Sequence, residues 1–452
     1  MLKKLITKLR NPRQSSPDTH VLTQQQHGLS IDQFSRNSAA AAKKLQDAGF
    51  QAFIVGGSVR DALLGENPKD FDVATSATPE QVRALFRNSR IIGRRFKLVH
   101  LYHGREIVEV ATFRGSHQDC DGDDERSSQH ESGRILRDNV YGTLEEDALR
   151  RDFTINALYY NVSNQCVYDF AGGVSDIHKR SLRLIGDPEQ RYLEDPVRML
   201  RAIRFAAKLG FTIAADTAEP IRRLAPLLAD IPPARLFDEV LKLFLNGQAE
   251  LTFDLLLEYD LFTPLFPATA QAITNNPDYS LRLIRNALRN TDKRIADGKT
   301  ITPAFLFAAL LWPAIPAQAA RLQENGMPPV PAVQEAAQLV LSQQLSRISI
   351  PKRFTLPTRE IWALQERLPR RTGKRADAVL AHPRFRAGYD FLLLRESAGE
   401  ETNHLGEWWT DYQELDEAQR RAMIRDLGGP TKKTRRPRKR RANNPFQHKV
   451  PN

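Results

Sequence analysis

Gly56-Gly57-Ser58-Val59-Arg60-Asp61 is followed, thirteen positions after its second glycine, by Asp70-Phe71-Asp72-Val73-Ala74-Thr75. Alternating side-chain direction along a strand puts Asp70 and Asp72 on one face and Phe71 and Val73 on the other. Two carboxylates held that close repel each other unless a cation sits between them. A glycine turn that opens a helix presents backbone N–H groups to phosphate oxygens. Together the two features describe a site for a metal-bound nucleoside triphosphate. Either alone is ordinary, since a Gly-Gly is a tight turn and a lone Asp-x-Asp is a solvated strand end. The signal lies in the ordered pair at this spacing.

Three more constellations can serve the same chemistry. Glu109 interrupts the apolar run Ile107-Val108-Glu109-Val110-Ala111-Thr112, and an ionised group there is costly without a cation or partner. If its strand lies beside that of Asp70 and Asp72, Glu109 completes a three-carboxylate cradle; otherwise it faces solvent from an edge strand. Mg²⁺ prefers oxygen ligands and takes few carboxylates plus substrate phosphates. Arg150-Arg151-Asp152-Phe153-Thr154-Ile155-Asn156-Ala157 reads either as a capped helix start or as a clamp for triphosphate and ribose, with Asp152 orienting an arginine or the sugar. In Glu194-Asp195-Pro196-Val197-Arg198, Asp195 suits an N-cap and Pro196 the first helical position, which puts Arg198 one turn in, near the Asp195 carboxylate. That is a cap with a local ion pair, or an acceptor and a donor facing the Watson–Crick edge of a base. Arg198, Arg201, Arg204 and Lys208 share one side of the helix, as a solvated face or an approach to phosphates.

The elements that position these groups follow from patterning. Residues 31–187 mix helices with short β-rich runs: a helix over 34–48, a strand over 53–55, a helix over 78–86, and a hairpin of 96–102 and 106–113 around His103-Gly104-Arg105. Residues 115–139 carry acids and serines without periodicity and read as a mobile surface loop rather than a calcium loop, because Gly122 is misplaced for one. Beyond Pro196 the periodicity is helical almost throughout, for example over 197–209, 235–245 and 253–259. Residues 1–30 are expected to be a flexible leader. Leu2, Leu5, Ile6 and Leu9 fall at helical spacing among Lys3, Lys4, Lys8 and Arg10, a small basic amphipathic helix that could touch an anionic membrane but more simply packs or frays.

At 452 residues with 41% hydrophobic content, the chain has material for two or three packed domains. Its net charge of +12 favours a polyanionic partner. Lys432, Lys433, Arg435, Arg436, Arg438, Lys439, Arg440 and Arg441 supply two thirds of that excess. As an RNA contact this tail would be blind to sequence, with a log K against log salt slope as steep as roughly −5 on single strands. Cys120 and Cys166 are too few for a disulfide framework and too isolated for zinc, which fits a reducing, cytoplasmic setting. No apolar run is long enough for a transmembrane segment.

A Gly-Gly shortly before an Asp-x-Asp resembles the nucleotidyltransferase superfamily of DNA polymerase β. The full ordered set, with Phe170-Ala171-Gly172-Gly173-Val174 and Glu194 to Ala206, resembles the class II nucleotidyltransferases, which include CCA-adding enzymes and bacterial poly(A) polymerases. The resemblance implies an α+β fold: a polymerase-β-like nucleotidyltransferase head with a mixed sheet over 31–187, a helical neck over 188–250 carrying the base-reading motif, a helical RNA-binding body over 251–427, and a disordered basic tail over 428–452. It implies that Asp70 and Asp72 hold Mg²⁺, with Glu109 as the expected third carboxylate if the strands are neighbours and two ions in all, and that Asp152 belongs to the catalytic centre. Gly56, Gly57, Ser58, Arg60, Arg151, Asn156, Asp195 and Arg198 are expected to contact ATP. Gly93-Arg94-Arg95-Phe96, Glu109 to Gly115, Glu145-Glu146-Asp147-Ala148, the absence of any His-Asp dipeptide and the basic tail side with the poly(A) polymerases. The expectation is a monomeric enzyme that adds AMP to RNA 3′ ends, with protein partners of RNA decay open. A CCA-adding enzyme and a non-catalytic RNA-binding scaffold are the alternatives.

Overall fold

A computed structural model describes residues 20–93, 97–115, 127–129, 135–138 and 141–427. Its described residues form two compact units. The first takes residues up to Thr274 with Leu288–Ile301 and Leu341–Ile350; the second takes Asn275–Ala287, Thr302–Val340 and the described residues from Pro351 onward.

The first unit is built on a mixed sheet. In chain order the elements that frame the site are strand β1 (His20–Leu22), helix α1 (Arg36–Asp47), β2 (Ala52–Val55), α2 (Gly57–Leu63), β3 (Asp72–Thr75), β4 (Ser89–Ile92), β5 (Leu98–His103), β6 (Glu106–Thr112), α3 (Leu144–Leu149), β7 (Leu158–Tyr160) and β8 (Val167–Asp169). Helices α4 (Pro188–Glu194), α5 (Val197–Leu209) and α6 (Pro233–Phe244) follow. Among the described residues the eight strands line up as β1-β8-β7-β2-β3-β6-β5-β4. Only β3 and β6 pair in parallel; the remaining neighbours are antiparallel.

Central β2 reads Ala-Phe-Ile-Val and is buried along its whole length, the continuous apolar pattern of a strand covered on both faces. Phe53 and Val55, two residues apart, point to one face and join Ala74, Phe113, Ala148, Tyr159 and Phe170 in one cluster. Helix α1 packs on β2 and β3, starting from a Ser35 cap and burying Ala41, Ala42 and Leu45.

Two expectations are corrected here. Residues 20–30, read as part of a flexible leader, hold a defined place: β1 pairs along β8, the His27 ring nitrogen lies 3.0 Å from the Gln165 carbonyl, and Leu29 is buried. An edge strand is held by main-chain hydrogen bonds, which polar composition does not advertise. The Asp-x-Asp strand is shorter than its pattern, because β3 begins at Asp72 and leaves Asp70 in the preceding loop. Arg94 to Phe96, most of the acidic loop and the basic tail lie outside the described residues.

The second unit is helical. Leu364, Leu368, Val379, Phe385, Tyr389, Leu392, Trp409 and Tyr412 form one of its cores, and the very apolar helix Pro303–Leu311 is buried. Among the described residues no single helix is long and apolar enough to cross a membrane.

Candidate active site

Parallel pairing of β3 with β6 sets Asp72 opposite Glu109, so both side chains leave the same face of the sheet. Asp70 lies two residues earlier, and both aspartates keep a solvent-exposed side. Crowding has an electrostatic cost. The Asp72 carboxyl is pushed up to about 6, first by burial, then by the charge of Glu109, with Asp70 adding to it and Arg151 opposing. A carboxylate raised by two others marks a place short of positive charge. Hard oxygen donors of this kind suit Mg²⁺. Glu109 Oε1 lies 3.1 Å from His100 Nε2, its partner across β5 and β6. Among the described residues no three His, Cys, Asp or Glu side chains close into a finished metal site.

The glycine turn follows β2. Gly56 has φ +74°, a backbone conformation that calls for glycine, and a Cβ there would lie 3.4 Å from Arg151 Nη1. Gly57 opens α2. Ser58 and Arg60 turn inward. The Ser58 hydroxyl donates to the Val55 carbonyl at 3.1 Å. Buried Arg60 donates to Asp61 Oδ1 from Nε at 2.8 Å and from Nη2 at 2.6 Å, and to Asn156 Oδ1 from Nη1.

Arg151 is locked at the turn. Its Nε donates to the Tyr159 hydroxyl at 2.8 Å and its Nη2 to Asp147 Oδ2 at 3.2 Å, while Tyr159 donates to the same Asp147 oxygen at 2.7 Å. Burial works to lower the Arg151 pKa, but Tyr159 and Asp147 outweigh it and raise it. Asp152 is as firmly held. Arg201 of α5 donates to its Oδ2 from Nε at 2.7 Å and from Nη2 as well. Phe153 N and Asn156 Nδ2 donate to Oδ1 at 2.8 and 3.3 Å. Burial alone would raise the Asp152 pKa; the charge and hydrogen bonds of Arg201 hold it below the usual range.

Positive charge accumulates beside this. Arg150 is lowered to about 10 by burial and by Arg114, Arg191, Arg198 and Arg151. Burial also lowers Arg114, and burial with Arg198 lowers Arg191. Arg191 ties the cluster together by donating to the carbonyls of Arg150 and Arg151 at 2.6 and 2.7 Å. Guanidiniums gathered this closely, with Arg114, Arg150 and Arg191 lowered, favour a polyanion.

Asp195 and Arg198 do not pair with each other. Arg198 Nη1 donates to Glu194 Oε2 at 2.8 Å and to the Arg191 carbonyl at 2.6 Å, because helical side chains lean toward the N-terminus and reach the preceding turn. Asp195 Oδ1 accepts from Val197 N at 3.3 Å, and Oδ2 accepts from Arg235 of α6 at 2.7 Å. Arg201, read as part of a solvated or phosphate-facing side, is spent on Asp152.

Asp147, Tyr159, Arg191 and Arg235 carry this site without having been singled out for it. Asp147 stands four residues before Arg151, a helical ion-pair spacing visible in the sequence. Tyr159 sits in an apolar run, and Arg235 is forty residues from Asp195, so neither leaves a local signal.

Residues 52–183 match the family described as "Poly A polymerase head domain", residues 210–273 "Probable RNA and SrmB- binding site of polymerase A", and residues 325–443 "Polymerase A arginine-rich C-terminus". The chain is 50% identical over 431 residues, 94% of its length and 93% of the relative's, to Poly(A) polymerase I of Escherichia coli O6:H1. It is 42% identical to the CCA-adding enzyme of Leuconostoc mesenteroides, over 47% of this chain and 51% of that one. Among solved structures, the Bacillus stearothermophilus CCA-adding enzyme in complex with CTP superposes with a TM-score of 0.54 at 26% identity, covering 86% of this chain and 82% of that one.

Proposed function

The chain belongs to the poly(A) polymerase family, and from that premise we propose that the carboxylates on β3 and β6 and the neighbouring arginines form its nucleotidyl-transfer centre. The protein is a polynucleotide adenylyltransferase. An RNA 3′-hydroxyl attacks the α-phosphate of ATP, the bond to the β-phosphate oxygen breaks, and pyrophosphate leaves as AMP joins the RNA.

Asp70, Asp72 and Glu109 are proposed to hold Mg²⁺. Bound there, Mg²⁺ supplies positive charge that eases deprotonation of the attacking hydroxyl and stabilises the departing pyrophosphate. Arg151, fixed by Asp147 and Tyr159 next to the Gly56 turn, orients the triphosphate, with Arg150, Arg114, Arg191 and Arg198 neutralising its charge. Ser58, Arg60 and Asn156 hold the turn in place from behind. Asp152 acts by fixing Arg201, which joins α5 to the head. Asp195 is proposed to accept from the amino group of adenine, with Arg235 fixing its carboxylate. The basic tail is proposed as a sequence-blind RNA contact.

One observation carries this reading: the register that brings Asp72 and Glu109 together beside a fixed arginine cluster. Purified protein given RNA without tRNA structure, Mg²⁺ and either ATP or CTP should make long A tracts from ATP alone. Addition confined to CCA on tRNA would refute the reading in favour of the CCA-adding alternative. Unchanged extension by the Asp70→Ala/Asp72→Ala variant would remove the metal assignment. Truncation after Gly429 should weaken RNA binding and flatten its salt dependence.

A further inference from the structure

The second unit carries a basic run that none of the above uses. The segment joining helix Lys352–Gln365 to helix Arg375–Leu380 opens on Glu366, and after that single acid Arg367-Leu368-Pro369-Arg370-Arg371-Thr372-Gly373-Lys374-Arg375 brings five cations. Arg367, Arg370, Lys374 and Arg375 are exposed, and among the described residues none of the four makes a side-chain hydrogen bond or ion pair. Two other exposed arginines of this unit are neutralised, Arg384 by Glu360 and Arg386 by Asp390; the run differs in gathering its cations within nine residues. The acid that follows the run, Asp377, accepts from the Tyr412 hydroxyl at 2.6 Å.

The run is held in shape from beneath. Leu368 is buried, and its carbonyl accepts from Trp409 Nε1 at 3.1 Å. Trp408 and Tyr412, one turn apart, stack with ring centroids 4.6 Å apart and planes 16° from parallel. The Arg371 guanidinium lies 5.0 Å from the Trp408 centroid, and its Nε is buried without a hydrogen bond. With Tyr412 against Trp408, the aromatic pair forms a floor that keeps this guanidinium at the surface.

We propose that the Arg367–Arg375 run, set on the Trp408–Tyr412 stack, is a docking surface for the phosphates of single-stranded RNA upstream of the 3′ end being extended. The inference rests on the polyadenylation reading. Unpaired cations bind a phosphate backbone without regard to sequence, as an enzyme that extends many RNAs requires. The Arg371 guanidinium, held on the Trp408 ring, adds a positioned fifth cation to that surface.

The test is the full chain carrying Arg367→Gln, Arg370→Gln, Lys374→Gln and Arg375→Gln, four side chains that brace nothing. Its melting temperature should match the wild type. Its slope of log K against log salt on an unstructured RNA should flatten by about 2 to 3, from roughly 0.7 per lost phosphate contact. KM for that RNA should rise about fivefold or more, with kcat, KM for ATP and extension of a short oligonucleotide primer unchanged. An unaltered slope and KM overturn the proposal, and that is also the outcome if the surface serves an acidic protein instead. Wild-type AMP addition to the short primer tests the polymerase reading by itself, so the two failures are distinguishable.

Discussion

Replacing Asp152 by asparagine tests whether that carboxylate works on the substrate or by holding Arg201. The wild-type group accepts two bonds from Arg201, one from Phe153 N and one from Asn156. Its side chain is 13% exposed and that of Arg201 32%, so water cannot readily replace the lost charge. In the variant, a donor amide or a neutral acceptor faces the guanidinium. Breaking one side of a buried pair costs about 3–5 kcal/mol, and the partial exposure of Arg201 argues for the lower end, about 3 kcal/mol. In a unit of this size that is a fall in melting temperature of about 6 °C. Scanning calorimetry of Asp152→Asn, Arg201→Met and the double variant completes the cycle. The double variant should recover most of the loss, because no charge is then left unpaired. Kinetically, both single variants should lose a similar factor in kcat/KM, about 10 to 100, and the double should be no worse than either. A melting temperature within about 1 °C of wild type refutes the structural reasoning. A defect in Asp152→Asn at least a hundredfold beyond that in Arg201→Met, again reading kcat/KM, refutes the indirect role.

The raised Asp72 pKa predicts a signed pH dependence. Its folded value near 6 lies above the unfolded 3.8, so the folded state holds the proton longer and, without divalent cations, the contribution of Asp72 to stability falls as pH rises from about 4 to 6. Asp72→Asn should remove that contribution while losing activity by at least about a hundredfold; identical urea-midpoint profiles for the two proteins would count against the burial and crowding of this carboxylate. Tyr159→Phe removes one buried donor and one acceptor, so it should cost about 1–2 kcal/mol in urea denaturation. It should also raise KM for ATP more than it lowers kcat, because Arg151 loses its brace. Asp195→Ala removes the bond from Val197 N and the Arg235 contact, worth about 1 kcal/mol together, and should lower the ratio of AMP to CMP incorporation in single-nucleotide assays; an unchanged ratio would take Asp195 out of base reading.

Local pattern determined the glycine turn, the hairpin of β5 and β6, the helices after Pro196 and the types of group available for catalysis, because strand alternation, helical periodicity and turn residues act over a few positions. It also determined the family, through motifs that recur in one order. Tertiary structure alone decided which groups meet. Glu109 had a conditional place in the sequence, and only the β3–β6 register set it opposite Asp72, since strand pairing is a long-range choice. Asp195 and Arg198 looked like partners by proximity along the chain. The direction of helical side chains sent Arg198 to Glu194, and α6 brought Arg235 to Asp195 from forty residues away. Arg201 likewise exchanged a surface for Asp152 once α5 packed on the head. Charged groups are paired by distance in space and by what burial costs them, and neither quantity is written in the order of residues.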